Sequence, residues 1–139
     1  MVDVALRVSD DVLKKYEGVS NATVLGALAK RGYLKVFMNG VHSLAPGRRL
    51  VGRAVTLRYL PSRPDLQEHV TRGGHGEGFN ETPRWDALEA LTPGDCLVAD
   101  CMGESMTSTG GDVVFSRILS QKAAGLVTDG GVRDGHKVA

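Results

Sequence analysis

The sequence predicts an α/β fold, and three features indicate it. Apolar and polar residues alternate along much of Leu50–Leu60, a pattern typical of a half-buried strand. The short apolar run Cys96–Asp100 indicates a second, buried strand, and Leu126–Thr128 indicates a third. An amphipathic helix beginning at Asp112 lies between these last two. The order strand, loop, helix, strand forms a βαβ unit, so we expect parallel pairing.

Two helices and a short strand are predicted before the long strand. Ser9 and Ser20 each precede a helical run and can cap it. Glycine follows each run, at Gly18 and Gly32, where a left-handed residue ends a helix without steric cost. The run Val36–Met38 then predicts a short strand.

The middle of the chain changes character. Pro61–Thr82 combines prolines, glycines and scattered charges without periodicity, which predicts a long irregular connection. Within it, Arg72–Gly76 is a weak phosphate-binding candidate, because it lacks the lysine and the following helix of a P-loop. Pro83 begins a short helix through Leu91, and Thr92–Asp95 is a turn.

The crossover of the βαβ unit begins with a polar, glycine-rich loop, Met102–Gly111. The helix from Asp112 is predicted to end at Gly125. Its apolar residues are predicted to face inward; these are Val113, Val114, Ile118 and Leu119.

Composition limits the classes of function. The 139 residues suit one domain, residues 1–139, and the formal net charge of +1 favours neither nucleic acid nor a membrane as a partner. No apolar run approaches the roughly 18 residues that cross a bilayer, and no export signal begins the chain, so we expect a cytoplasmic protein. Cys96 and Cys101 would point to opposite faces of a strand. We therefore expect reduced thiols, and further ligands at zinc-like spacing are absent.

The start of the helix at Asp112 is one half of a candidate site. Gly110 and Gly111 precede it, and the N–H groups of Val113 and Val114 would point into a crevice where the helix dipole favours an anion. An aspartate at this position is, on its own, more often a helix cap than a ligand.

The other half follows the strand Leu126–Thr128. Arg133 offers a planar guanidinium suited to a carboxylate or keto oxygen, and Asp134 offers a hard oxygen ligand for Mg²⁺ or Mn²⁺. Such a pair in a loop is usually solvated or ion-paired. Ligands in open α/β sheets bind at the carboxyl ends of strands, so we expect Asp112, Arg133 and Asp134 to share one site.

These residues also carry a family resemblance. Asp112, twenty intervening residues and then Arg133-Asp134 resemble the signature of the 4-hydroxy-4-methyl-2-oxoglutarate aldolases and RraA-like proteins. Three further segments are similar to that family, namely Gly18–Thr23, Gly52–Thr56 and Gly125–Gly135. The resemblance covers nearly the whole chain.

The resemblance implies a three-layer swivelling β/β/α domain, class II aldol chemistry and oxaloacetate decarboxylation through a pyruvate enolate. Asp134 would bind Mg²⁺ or Mn²⁺ directly, and Arg133 would bind the keto oxygen of an α-keto acid. Asp112 would contact the water shell of the metal and help proton transfer. Substrate binding would involve Gly111 and the amides of Val113 and Val114.

The resemblance has departures and leaves alternatives open. Ser108 stands where the family often has glycine, and family members continue for several strands beyond Arg-Asp, so we expect a C-terminally truncated member with an incomplete sheet. The family implies homotrimers or homohexamers with sites between subunits. The alternatives are a non-catalytic regulator that binds ribonuclease E or another partner, and an inactive remnant. His136 is either a substrate contact or, more simply, a solvated terminal residue.

Overall fold

A computed structural model of the chain describes residues 7–61, 65 and 82–137. The helices are α1 (Asp10–Tyr16), α2 (Asn21–Ala29), α3 (Pro83–Glu89) and α4 (Asp112–Ser120). The strands are β1 (Arg53–Arg58), β2 (Asp95–Asp100), β3 (Ser108–Gly110), β4 (Gly125–Thr128) and β5 (Gly131–Val132), and a 3₁₀ helix spans Gly135–Lys137.

The strands form two parallel sheets. The first has the order β1-β2-β4, with Arg53 opposite Asp95 and Cys96 opposite Gly125. The second contains β3 and β5. The predicted α/β class and the parallel pairing of the βαβ unit are therefore confirmed.

The core lies between the three-stranded sheet and helices α3 and α4. Its buried residues are Trp85, Leu88, Leu91, Leu97, Val114 and Ile118. Val114 and Ile118 lie one helical turn apart, so α4 presents both to the sheet. Val55 and Leu57 of β1 pack against the same cluster.

The helix ends near the N-terminus follow the sequence signals in part. The Ser20 hydroxyl accepts a hydrogen bond from the Thr23 N–H at 3.1 Å, so it caps α2 as predicted. Gly32, at φ +85°, ends this helix: its N–H bonds to Ala29 O, and the Tyr33 N–H bonds to Leu28 O. Ser9 occupies the N-cap of α1 without a side-chain hydrogen bond.

Two predictions of strand and loop structure were wrong. Val36–Met38 is not a strand; its residues are exposed and pair with no described neighbour. The predicted loop Met102–Gly111 contains β3, whose partner β5 was also missed. Both strands are too short, at three and two residues, to show a period.

The prediction for α4 was wrong about where the helix ends and about two of the four side chains that were expected to face inward. The helix stops at Ser120, and Gly125 begins β4 instead. Val113 is 61% exposed and Leu119 is 71% exposed, because the sheet covers only the narrow stripe that contains Val114 and Ile118. β1 is shorter than predicted because it pairs only over the length of β2. The helix α3 is also shorter than predicted, since it ends at Glu89 and not at Leu91.

The buried carboxylate of Asp95 links Arg7, which precedes α1, to the larger sheet. The Asp95 side chain is 1% exposed and lies at the start of β2. It accepts hydrogen bonds from Arg53 Nε at 2.8 Å and from Arg7 Nη2 at 2.6 Å. The Thr92 N–H donates to it at 2.8 Å, which closes the predicted turn. Burial alone would raise the pKa of Asp95, but these hydrogen bonds outweigh burial and lower it.

Asp95→Ala should destabilise the fold by about 3–5 kcal/mol, because it leaves Arg53 largely buried without this carboxylate. Asp11→Ala is the matched control, since Asp11 is exposed and, among the described residues, forms an ion pair with Lys14 alone, at 3.8 Å. The control should change the free energy of unfolding by less than about 0.5 kcal/mol. Urea unfolding measures both. Equal losses would show that Asp95 is not an anchor.

Stability should also depend on acid through Asp95. Its folded pKa lies below the unfolded value of about 3.9, so its stabilisation is complete above that pH. The stabilisation is lost as the pH falls further, through the lowered folded pKa. Urea midpoints at a series of acidic pH values should therefore decline in the wild type and decline less steeply in Asp95→Asn. Parallel declines would contradict this assignment.

Candidate functional site

The predicted site residues follow the strands of the smaller sheet. Asp112 comes two residues after β3, and Arg133 comes directly after β5. Gly110 and Val132 are partners in this parallel pair, so both segments leave the sheet at the same edge. The sequence had assigned them to the ends of Cys96–Asp100 and Leu126–Thr128. That assignment was wrong, because β3 and β5 were not foreseen.

Gly111 brings the two segments close together. A Cβ atom added at Gly111 would lie 2.9 Å from Asp134 Oδ2 and 3.8 Å from Arg133 Nε. The Arg133 N–H also donates to Gly110 O at 2.9 Å. Both predicted side chains therefore lie against the glycine that precedes Asp112.

The backbone at Asp134 adopts an unusual conformation. Its φ is +57°, in the left-handed region that non-glycine residues rarely occupy. The side chain is half-buried, whereas Arg133 is exposed. Strained backbone of this kind is common at binding and catalytic sites, although it does not identify a function by itself.

The start of α4 is arranged differently from the prediction. Gly111 is the N-cap and has no side chain to accept from the first-turn N–H groups. Asp112 is the first residue of the helix, and its Oδ1 accepts a hydrogen bond from the adjacent Val113 N–H at 2.8 Å. First-turn amides have no partner within the helix, and the Val114 N–H is such a donor. An incoming anion would compete with Asp112 for the Val113 N–H.

Asp129 supports the site and was not singled out from the sequence. Its carboxylate accepts from the Cys101 N–H at 2.6 Å and from the Gly103 N–H at 2.7 Å. These two hydrogen bonds lower the pKa of Asp129. They join the turn before β5 to the loop before β3. An aspartate followed by two glycines after a strand was the available signal, since this combination favours a side-chain-stabilised turn.

A buried polar cluster joins the two sheets. The hydroxyls of Thr109 in β3 and Thr128 in β4 lie 2.8 Å apart, and the Cys101 thiol lies 3.5 Å from Thr109 Oγ1. Both cysteines are buried and free, as predicted. Burial raises the pKa of Cys96 to about 11, which keeps this thiol protonated near neutral pH.

The residues fit a magnesium-type site better than a zinc-type site. No group of three or more His, Cys, Asp or Glu side chains that could hold an ion occurs within the described ranges. Mg²⁺ usually retains several waters and is bound by one or two carboxylates, whereas structural zinc requires four protein ligands. The half-buried Asp134, with Asp112 at the start of α4, offers the one or two carboxylates that Mg²⁺ needs. These residues do not provide the four protein ligands of a structural zinc site.

Other candidate features lie elsewhere. A groove of about 1030 Å³ between the N-terminal helices and β1 shares no residue with the candidate site. His136 is exposed, and the Arg72–Gly76 segment lies outside the described residues. No helix in the described part of the chain has the length and apolar character needed to cross a bilayer.

Two glycine substitutions should distinguish a local change at the candidate site from a loss of stability of the whole fold. In Gly111→Ala the new methyl would contact Arg133 at ordinary distances and would clash only with the end of the flexible Asp134 side chain, which can rotate at a cost of about 0.5–1.5 kcal/mol. In Gly131→Ala the methyl would lie 2.6 Å from the backbone oxygen of Ser105, so overpacking should cost about 1–3 kcal/mol. Urea unfolding gives the stability of each. A crystal structure of Gly111→Ala with Asp134 unmoved would contradict the close approach.

The chain is similar to known proteins in both sequence and fold. A family model described as RraA-like (Aldolase/RraA) matches residues 8–139. Streptomyces coelicolor RraAS2, described as an unusual member of the RNase ES inhibitor RraA protein family, has a similar structure, with a TM-score of 0.79 and 28% identity. The match covers 95% of this chain and 60% of that protein.

A second solved structure supports the fold alone. It is an uncharacterized protein from Pseudomonas syringae pv. tomato str. DC3000, with a TM-score of 0.73 and 23% identity. The match covers 95% of this chain and 53% of that protein. The present chain thus spans little more than half the length of either neighbour. Because the family model matches almost all of the chain, the protein belongs to the RraA-like family.

Proposed function

We propose that the protein is a divalent-metal-dependent lyase, a pyruvate-forming class II aldolase of the 4-hydroxy-4-methyl-2-oxoglutarate type with oxaloacetate decarboxylase activity. The observation that supports this proposal is the position of Arg133 and Asp134 against Gly111, beside the N-terminus of α4. A cation ligand, a guanidinium and open helix amides together suit a small α-keto acid.

The side chains would divide the reaction between them. The Arg133 guanidinium would bind the keto oxygen of oxaloacetate. When the bond between the methylene carbon and the departing carboxylate breaks, its electron pair forms the enolate of pyruvate and carbon dioxide leaves. Arg133 stabilises the negative charge on the enolate oxygen, and a proton returned to the methylene carbon yields pyruvate.

The remaining groups would orient the substrate and the cation. The Val114 amide, and that of Val113 once Asp112 releases it, would bind the substrate carboxylate. Asp134 would hold Mg²⁺ or Mn²⁺ through a carboxylate oxygen, and Asp112 would contact its water shell and assist proton transfer. A divalent cation held by Asp134 would supply further positive charge to stabilise the enolate.

A second candidate function is regulation by protein contact. The similarity to RraAS2, a member of an RNase ES inhibitor family, favours it. Such a regulator would bind ribonuclease E or another partner and would not need Asp134 as a ligand. For either function we propose a cytoplasmic homotrimer or homohexamer, with neither nucleic acid nor a membrane as the partner.

Site variants test the lyase proposal through pyruvate release from oxaloacetate, with Mn²⁺ binding measured by calorimetry. Asp134→Ala should abolish Mn²⁺ binding and lower turnover by about 100-fold or more, since it removes the cation ligand. Asp112→Ala should lower turnover more than it lowers Mn²⁺ affinity, because its contact is through water.

Asp86→Ala is the control, since Asp86 is an exposed aspartate on α3, outside the candidate site. It should leave both measurements unchanged. Undiminished turnover in Asp134→Ala would refute the lyase assignment and leave the regulatory function, which inhibition of ribonuclease E cleavage by the wild type and by Asp134→Ala would then measure.

A further inference from the structure

Thr109 lies in the middle of β3 and contacts the carboxyl ends of all three strands of the larger sheet. Its hydroxyl lies 2.8 Å from Thr128 Oγ1, at the end of β4, and 3.5 Å from the sulfur of Cys101, directly after β2. Its carbonyl oxygen accepts a hydrogen bond from the hydroxyl of Tyr59, directly after β1, at 3.3 Å. One residue of the smaller sheet is therefore linked to every strand of the larger sheet.

These contacts are shielded from water. Thr109 is 1% exposed, Cys101 is also buried, and Tyr59 is half-buried. Burial raises the pKa of Tyr59, so its hydroxyl remains protonated and able to donate near neutral pH. The Gly130 N–H donates to Thr128 Oγ1 at 3.0 Å, which holds the hydroxyl that faces Thr109. Hydrogen bonds in such a low-dielectric setting are electrostatically stronger than in water, so they hold β3 firmly against the larger sheet.

The two halves of the candidate site are carried by different sheets. The helix α4 packs on the larger sheet through Val114 and Ile118, so that sheet sets the position of its first-turn amides. Arg133 and Asp134 follow β5, which pairs with β3 in the smaller sheet. The alignment of these two side chains with α4 therefore depends on how the two sheets are held together, and Thr109 lies at that junction.

We propose that Thr109 is a positioning residue, which aligns Arg133 and Asp134 with the N-terminus of α4 by locking the smaller sheet onto the larger one. Its effect on turnover rests on the proposed lyase function, whereas its effect on the smaller sheet does not. Because Thr109 is buried, it acts through β3 and not by touching the substrate. A misplacement of about 1 Å in a reacting arrangement can lower the rate by about 100-fold, so a small slip between the sheets would be costly.

Two substitutions at Thr109 test the proposal through pyruvate release from oxaloacetate. Valine has nearly the shape of threonine but no hydroxyl, whereas serine keeps the hydroxyl. Thr109→Val should lower kcat by about tenfold or more and change KM less, since a misaligned Arg133 stabilises the enolate less well. Thr109→Ser should recover kcat to within about threefold of the wild type, because the hydroxyl is restored.

Amide hydrogen exchange, followed by NMR, measures the locking without any reference to activity. The Gly131 N–H donates to Thr107 O in the smaller sheet, and the Ala124 N–H donates to Asp95 O in the larger sheet. In Thr109→Val the Gly131 amide should exchange about tenfold faster or more, while the Ala124 amide is unchanged, because only the smaller sheet is released.

Two further variants separate positioning from general stability. Tyr59→Phe removes only the hydroxyl that donates to the Thr109 carbonyl, and it should produce a smaller change in the same direction in both kcat and Gly131 exchange. Should Thr109→Val not fold, this variant decides the matter. Leu91→Val is the control, since Leu91 is a buried core residue outside the cluster around Thr109. It should alter the exchange of both reporter amides by the same factor and leave kcat unchanged.

The outcomes distinguish this inference from the proposed reaction. Unchanged kcat and unchanged Gly131 exchange in Thr109→Val and Tyr59→Phe would overturn the inference. Equal acceleration at Gly131 and Ala124, or a loss of kcat that Thr109→Ser does not recover, would overturn it as well. A wild type that releases no pyruvate would refute the lyase function alone. Selective exchange at Gly131 would then still support the locking role of Thr109, and unselective exchange would refute it.

Discussion

Parallel pairing of β2 with both neighbours is the constraint on which the rest of the structure depends. Parallel strands cannot be joined by tight turns, so each connection must cross the sheet and bring a helix with it. The two crossovers end in α3 and α4, and these helices cover the face that contains Leu97. The second crossover is long enough to contain β3 as well. The smaller sheet, and with it the candidate site, is a consequence of how β2 is connected to β4.

Close backbone approach then fixes the smaller sheet against the larger one. A Cβ at Gly130 would lie 2.5 Å from the Cys101 sulfur, and one at Gly131 would lie 2.6 Å from Ser105 O. Only glycine leaves room for this packing. Asp129 adds two hydrogen bonds to the same loop, so the turn that leads to Arg133 is held by both shape and charge. The position of Arg133 and Asp134 is therefore set by residues that would never touch a substrate.

Sequence patterns predicted the larger sheet well because burial on one face gives β1 an alternating period, and burial on both faces gives β2 a short apolar run. They failed for β3 and β5, since two or three residues cannot show a period and glycine-rich composition favours loops. The candidate residues were nevertheless named, because Asp112, Arg133 and Asp134 are chemically distinctive wherever they lie. The approach of Arg133 and Asp134 to Gly111 was beyond reach, because it depends on the pairing of β3 with β5, which the composition hides. The sequence also favoured Asp112 as a helix cap, but the N-cap of α4 is Gly111 and no side chain caps this helix.

The failed strand prediction at Val36–Met38 has a different physical origin from the failures at β3 and β5. There the local composition indicated a loop and tertiary pairing made a strand; at Val36–Met38 the composition indicates a strand and no pairing partner is present. Strand propensity measures how well a side chain fits a half-buried pleated surface, so it is expressed only where a neighbour provides that surface. Unmet propensity, exposed apolar side chains and uniform positive charge coincide in one short stretch. Together these three features are best explained by a contact with a group outside the described residues.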